Sequence, residues 1–154
     1  MSIYQNILVA IDLSEESQQV VDKAQAIAGA GDHLALVHVV RPIEHVYGGF
    51  GAVGLAGDFS EQMATLEQQA SAHAAQKLKD LGVVLGVPES RQFTPIGHAA
   101  TEIQRVAAEL EADLIVMGTH GRHGLGLLLG STANSVLHGV KRDVLAVRVH
   151  APER

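Results

Sequence analysis

The sequence predicts an α/β domain built on a mostly parallel sheet with helices on both faces. Two patterns carry that prediction. Short continuous apolar runs, as expected of strands buried on both sides, alternate with segments whose apolar residues recur at helical spacing. The segments between the runs are long enough to cross over a sheet, and such crossovers are right-handed and leave the joined strands parallel. The composition agrees. A chain of 154 residues, 47% hydrophobic and 18% charged, suits one domain spanning 1–154 with a substantial core, and excludes a disordered chain.

Each element follows in order. Ile7-Leu8-Val9-Ala10-Ile11 reads as the first strand. Ser14 stands where a helix N-cap is expected, with Glu15 and Glu16 near the positive end of the dipole. Val20, Val21, Ala24, Ile27 and Ala28 make the inner stripe of that helix, and Gly29 and Gly31 stop it. Leu34 to Val40 is the second strand, limited by Pro42. The stretch from Ile43 to Phe59 has five glycines and little periodicity. It exceeds the usual limit of about 12–15 residues for a structureless connection, which marks it as functional or mobile.

A long helix follows, with Met63, Leu66, Ala70, Ala74, Leu78 and Leu81 as one stripe and Gly82 closing it. The third strand falls within Glu89 to Pro95, where a weak pattern predicts an edge position. Ile103, Val106, Ala107 and Leu110 face inward from the next helix. Leu114-Ile115-Val116-Met117 is the fourth strand, followed by a glycine-rich loop to Gly130 and a short helix over Ser131 to His138. Asp143 to Val149 is the last strand. Ligands of such sheets sit beyond the carboxyl ends of the strands, where strand order reverses. The residues at those ends are Asp12, Val39, Val40, Met117 and Gly118.

Charge and composition exclude several classes. A net charge of −6 supplies no basic face for nucleic acid. The pair Lys141-Arg142 reads as a solvated strand entry. No apolar run approaches the ~20 residues that cross a bilayer, so no membrane partner is expected. The chain has no cysteine, which removes disulfide and thiolate-zinc sites. With no signal-like start either, the expected location is cytoplasmic.

Ten of the 16 glycines fall in two stretches, Gly48 to Gly57 and Gly118 to Gly130. The second begins where a buried strand ends and finishes at a helix start. There, backbone N–H groups and the positive end of a helix dipole suit phosphate, Gly130 allows close approach, Ser131 or Thr132 adds a hydroxyl, and Arg122 offsets charge. On spacing alone, a second reading stays open, in which these glycines make turns and Ser131 caps its helix. Two other nucleotide signatures are absent: no Gly-x-x-x-x-Gly-Lys-[Ser/Thr] occurs, and Gly124-x-Gly126 lies too far past its strand for a dinucleotide turn.

Taken together, Asn6 to Ser14, Leu36 to Val40, Ala112 to Gly121, Gly130-Ser131 and Asp143 to Val147 resemble, in this order, the universal stress protein family. The resemblance covers essentially the whole chain. Gly48 and Gly49, after the second strand, are similar to the branch of the founding bacterial member. The resemblance implies a five-stranded parallel sheet of order 3-2-1-4-5 and a homodimer. It further implies ATP or another adenine nucleotide, with magnesium as an accompanying ion, between the first and fourth strands. Asp12 then matches the ribose contact, Val39 and Met117 match positions around the adenine, and Ala10 belongs to the same site. Gly118, Gly121, Gly130 and Ser131 match the phosphate-binding glycines and hydroxyl, beside Arg122 and Thr132. Eight residues separate Gly121 from Gly130, one fewer than in ATP-binding members.

The chain is therefore expected to be a stress-response regulator or sensor rather than an enzyme. No general base, magnesium-binding pair or positioned nucleophile is evident, so efficient ATP hydrolysis is not expected, while slow hydrolysis or autophosphorylation stays open. The alternative is a nucleotide-free homodimeric interaction module. In either case the last strand is the candidate dimer edge, and the further partner is an unidentified regulatory protein. His120 and His123 lack a third ligand nearby in sequence and read as solvated loop histidines, so no metal site is expected. His38 reads as a hydrogen-bonded core histidine, not a catalyst.

Overall fold

A computed structural model describes residues 3–29, 33–43, 58–119 and 130–150. Five strands form one sheet: β1 (Ile7–Ala10), β2 (Leu34–Val37), β3 (Gln92–Phe93), β4 (Leu114–Gly118) and β5 (Asp143–Val147). Their order is β3-β2-β1-β4-β5 and every pairing is parallel. The helices are α1 (Ser17–Ala28), α2 (Asp58–Leu85), α3 (Ala99–Glu109) and α4 (Ser131–Gly139), with a short 3-10 turn at Glu89–Arg91.

Residue parity divides the core into two layers. Ile7, Val9, Leu34, Leu36, Leu114 and Val116 point to the face covered by α1 and the carboxyl-terminal part of α2. Leu8, Ala10, Ala35, Val37, Ile115 and Met117 point to the opposite face, under α3 and α4. The three central strands are thus buried on both sides, which explains their continuous apolar runs. β3 is two half-buried residues at the sheet edge, as its weak pattern predicts.

The amino-terminal rim of the sheet is closed by polar side chains. The Asp113 carboxylate accepts the N–H groups of Gln5 (2.7 Å) and Asn6 (3.0 Å). Arg91 donates to the Leu34 carbonyl (2.8 Å) and to Asn6 Oδ1, and Arg142 donates to the Ala112 carbonyl (2.7 Å). Arg142 is therefore half-buried and engaged, while Lys141 is the exposed member of the pair.

Several sequence expectations need correction. The first strand ends at Ala10, the second at Val37 and the last at Val147, although Val40 keeps one bridge to Ile96. Ser14 is not the N-cap of α1: that position is Glu16, whose side chain makes no capping bond, and Ser14 turns toward Asp12 instead. Gly82 does not close α2, which continues to Leu85 and stops before Gly86, at φ 72°. Leu66 and Ala70 are exposed, whereas Ala74, Leu78 and Leu85 are buried. The reason is length. Twenty-eight helical residues extend about 42 Å at ~1.5 Å per residue. Five strand residues extend only about 17 Å. The first half of α2 therefore overruns the sheet it packs on.

Candidate functional site

The candidate site lies where the chain leaves the central strands in opposite directions. Ala10 is in register with Val37 on one side and Met117 on the other. All three side chains lie on the α3–α4 face. From β1 the chain passes to α1 on one face; from β4 it passes to α4 on the other. This divergence at the carboxyl ends of adjacent strands opens the crevice of a doubly wound sheet. Met117 is buried at its floor, and Val39, two residues past β2, is half-buried and packed against the same cluster.

Asp12 stands at the lip of the crevice, half-buried. One carboxylate oxygen, Oδ1, accepts three hydrogen bonds, from the Ser14 N–H (3.0 Å), the Ser14 hydroxyl (2.5 Å) and the Ser17 hydroxyl (2.7 Å). Three donors on one oxygen fix its orientation. The geometry depends on Leu13, whose φ of 61° puts a non-glycine residue in the left-handed region. Such a conformation costs about 1–2 kcal/mol. It folds the chain back so that Ser14 reaches Asp12. Neither Leu13 nor the buried Ser17 carries a sequence signal for this role; only Asp12-x-Ser14, as a short turn motif, points to it.

Across the crevice, β4 ends at the half-buried Gly118. Thr119 N–H donates to the Val147 carbonyl (2.9 Å), and the Thr119 carbonyl accepts the Gly130 N–H (2.6 Å). Gly130 is the N-cap of α4 and its carbonyl accepts Asn134 N–H (2.9 Å). Ser131, exposed, and Thr132, half-buried, are the first helical residues, so Ser131 follows the cap rather than forming it. The first-turn N–H groups of a helix have no intrahelical acceptor and carry its positive partial charge. Gly130 itself has spent its N–H on Thr119, which leaves that role to Ser131 and Thr132.

The structure thus brings Ala10, Asp12, Val39, Met117, Gly118, Gly130, Ser131 and Thr132 to one end of the sheet. Gly121, Arg122, His120, His123 and the Gly48 to Gly57 stretch lie outside the described residues. Among the described residues no group of three or more His, Asp or Glu side chains is arranged to hold a metal ion. No described helix is long and apolar enough to cross a membrane. His38, one residue past β2 and only half-buried, has Nδ1 2.9 Å from the Ile11 carbonyl: it is hydrogen-bonded as expected, but it is not a core residue on the strand.

Comparison with known proteins fits this architecture. Residues 3–148 match the model of the universal stress protein family. The universal stress protein A homolog 1 of Coxiella burnetii is 43% identical over 145 residues, covering 94% of this chain and 96% of the relative. Among solved structures, the universal stress protein UspA from Lactobacillus plantarum superposes with a TM-score of 0.72 at 23% identity, covering 94% of this chain and 98% of that one. A universal stress protein crystallised in complex with cAMP superposes with a TM-score of 0.53 at 24% identity, covering 94% and 97%.

Proposed function

The chain belongs to the universal stress protein family, and from that premise we propose that it is a stress-response regulator or sensor that binds ATP or another adenine nucleotide between β1 and β4. The observation that carries the reading is the convergence of three different chemistries on one crevice: a carboxylate at Asp12, an apolar floor at Met117, and a helix start at Gly130-Ser131. Each answers one part of a nucleotide. A carboxylate accepts ribose hydroxyls, an apolar slot between Val39 and Met117 takes a flat base, and free helix N–H groups with a serine hydroxyl take phosphate. The cAMP complex of a protein with the same fold makes adenine nucleotides the first class to test.

In this reading, the protein's residues bind and orient rather than react. Asp12 is held by its three local donors, so it meets the sugar without reorganisation. Gly118 ends β4 beside the base and sugar, and Gly121 and Arg122 complete the phosphate end. Magnesium would arrive on the nucleotide's own phosphates, since no group of three such side chains among the described residues is arranged to ligate it. The homodimer forms through β5, the outer strand of the sheet, and nucleotide occupancy then governs the binding of a regulatory protein partner.

Calorimetric titration of the purified full chain with ATP tests this directly, alongside Asp12→Asn and Gly130→Lys. Wild type should bind with sub-millimolar affinity and both variants should be weakened at least tenfold. No heat of binding at millimolar ATP, ADP or cAMP would remove the nucleotide and leave the dimer surface as the working part.

A further inference from the structure

Beyond the residues that line the crevice, the His38 side chain stands where β1 and β2 part. The β1–β2 ladder continues one step past β1, where the Ile11 N–H donates to the Val37 carbonyl (3.0 Å). In a parallel ladder the next rung would run from the Val39 N–H to the Ile11 carbonyl. That rung is not among the backbone hydrogen bonds made here. Instead β2 turns away from β1 and stays with the chain after β3: His38 N–H donates to the Phe93 carbonyl (3.0 Å), Val40 N–H to Pro95 (2.8 Å), and Gly97 N–H to Val40 (3.0 Å). The parting of the two chains strips the Ile11 carbonyl of its backbone donor.

The His38 imidazole fills that vacancy. Its Nδ1 lies 2.9 Å from the Ile11 oxygen, and a carbonyl only accepts, so Nδ1 carries the hydrogen. The ring therefore bonds the peptide immediately before Asp12. A donor missing there would leave a carbonyl unsatisfied, or let the strands zip one rung further and narrow the gap between Val39 and Asp12.

We propose that His38 is a positioning residue for the nucleotide site: by donating from Nδ1 to the Ile11 carbonyl where β1 and β2 part, it holds the crevice open and fixes the peptide that carries Asp12. The inference rests on the nucleotide reading given above. It assigns to His38 no contact with the nucleotide and no proton transfer.

The test uses the full chain with His38→Leu, which keeps bulk without a donor, and His38→Asn, whose side-chain amide places a donor near the position of Nδ1. Affinities for ATP and 2′-deoxyATP are measured by calorimetry, with thermal melting as the control for folding. Wild type should prefer ATP, because Asp12 meets the ribose. His38→Leu should bind ATP at least fivefold more weakly and lose most of that preference, and His38→Asn should recover both to within about twofold of wild type. Combining His38→Leu with Asp12→Asn should add little to either single change, because one acts through the other. Wild-type affinity and preference in a folded His38→Leu would overturn the assignment while leaving the nucleotide site intact; absence of ATP binding by wild type would overturn both. Nitrogen NMR of the wild-type imidazole gives a check independent of any variant: a protonated Nδ1 at neutral pH is expected, and a bare Nδ1 would refute the bond on which the proposal stands.

Discussion

The Thr119 carbonyl accepts the Gly130 N–H at 2.6 Å, so the end of β4 and the start of α4 are tied directly to each other. The helix start is thereby held against the sheet end whatever path the intervening residues take. Gly130 has φ −60° and ψ 155°, a conformation open to any residue, so the fold does not demand glycine there. Alanine is a poorer N-cap than glycine, and Gly130→Ala should cost about 1 kcal/mol or less. If phosphate approaches this backbone, the added methyl group should weaken ATP at least tenfold. Urea denaturation and calorimetry on the same preparation separate the two effects. Equal ATP affinity in both proteins would show that no ligand comes close to Gly130.

Asp12 serves the fold as well as the crevice, and two substitutions should separate those roles. Asp12→Ala leaves the Ser14 N–H and hydroxyl and the Ser17 hydroxyl without their acceptor, and Ser17 is only 8% exposed. Stranding a buried donor costs about 1–3 kcal/mol. Asp12→Asn keeps an acceptor oxygen and should cost about 1 kcal/mol or less by the same reasoning. Both remove the negative charge and should weaken ATP to a similar extent. Chemical denaturation should therefore rank the variants differently from nucleotide titration. The same ranking in both assays would mean that Asp12 affects the nucleotide only by holding up the turn.

These residues also mark how far the sequence could be read. The strands β1, β2 and β4 were legible because burial on both faces demands continuous apolar runs, and the shortness of β3 showed as a weak pattern. Of the candidate site, the sequence marks Gly130-Ser131 before a helix and Asp12 after a strand, the ribose role of Asp12 coming only from the family resemblance. The site was not legible where the signal is a pairing. The Ser17 hydroxyl reaches Asp12 only because Leu13 adopts a left-handed conformation, and leucine has no propensity that announces one. His38 meets the Ile11 carbonyl only because two strands part, which depends on tertiary structure. The stripe Met63, Leu66, Ala70 read as core because periodicity reports an amphipathic face. It does not report whether a sheet is long enough to cover that face.

Gly82 and Gly86 illustrate the same limit and give a third prediction. Both fall near the end of α2; the sequence marks Gly82 as its stop, whereas the helix runs on to Leu85 and ends before Gly86. Gly86 has φ 72° with open space around its Cα, so Gly86→Ala should cost about 1–2 kcal/mol through the left-handed conformation alone. Gly82 is a packing glycine. A methyl group there would run into Gln92 Nε2 and come within 2.8 Å of the Val87 carbonyl. Gln92 Nε2 itself donates to that carbonyl at 2.9 Å, so Gly82→Ala displaces the bond and pushes on β3. Overpacking of this kind costs about 1–3 kcal/mol. Adding Gln92→Ala should recover part of the loss but not all, because the Val87 carbonyl remains in the way. Full recovery in the double variant, measured by thermal melting, would place the whole clash on the glutamine side chain.

The outer edge of β5 yields the last prediction. Thr119 N–H donates to the Val147 carbonyl, and Gly118 is in register with Val147. In a parallel ladder this phase commits the odd-numbered residues of β5 to β4 and turns the N–H and carbonyl groups of Val144 and Ala146 outward. β5 is last in the sheet order, and Val144, Leu145 and Ala146 are half-buried, so the edge offers a second copy both unpaired backbone groups and apolar surface. Proline is tolerated on an edge strand where its missing N–H would have faced outward. Ala146→Pro should therefore remove a donor needed only between copies, giving a folded monomer by light scattering at micromolar concentration. Leu145→Pro removes a donor that points into the ladder with β4, and should lose about 1–3 kcal/mol more stability than Ala146→Pro. A dimer that survives Ala146→Pro, or a wild-type monomer, would remove β5 as the contact between copies. Dissociation by Ala146→Pro with the fold intact would show that the backbone edge itself joins the two chains.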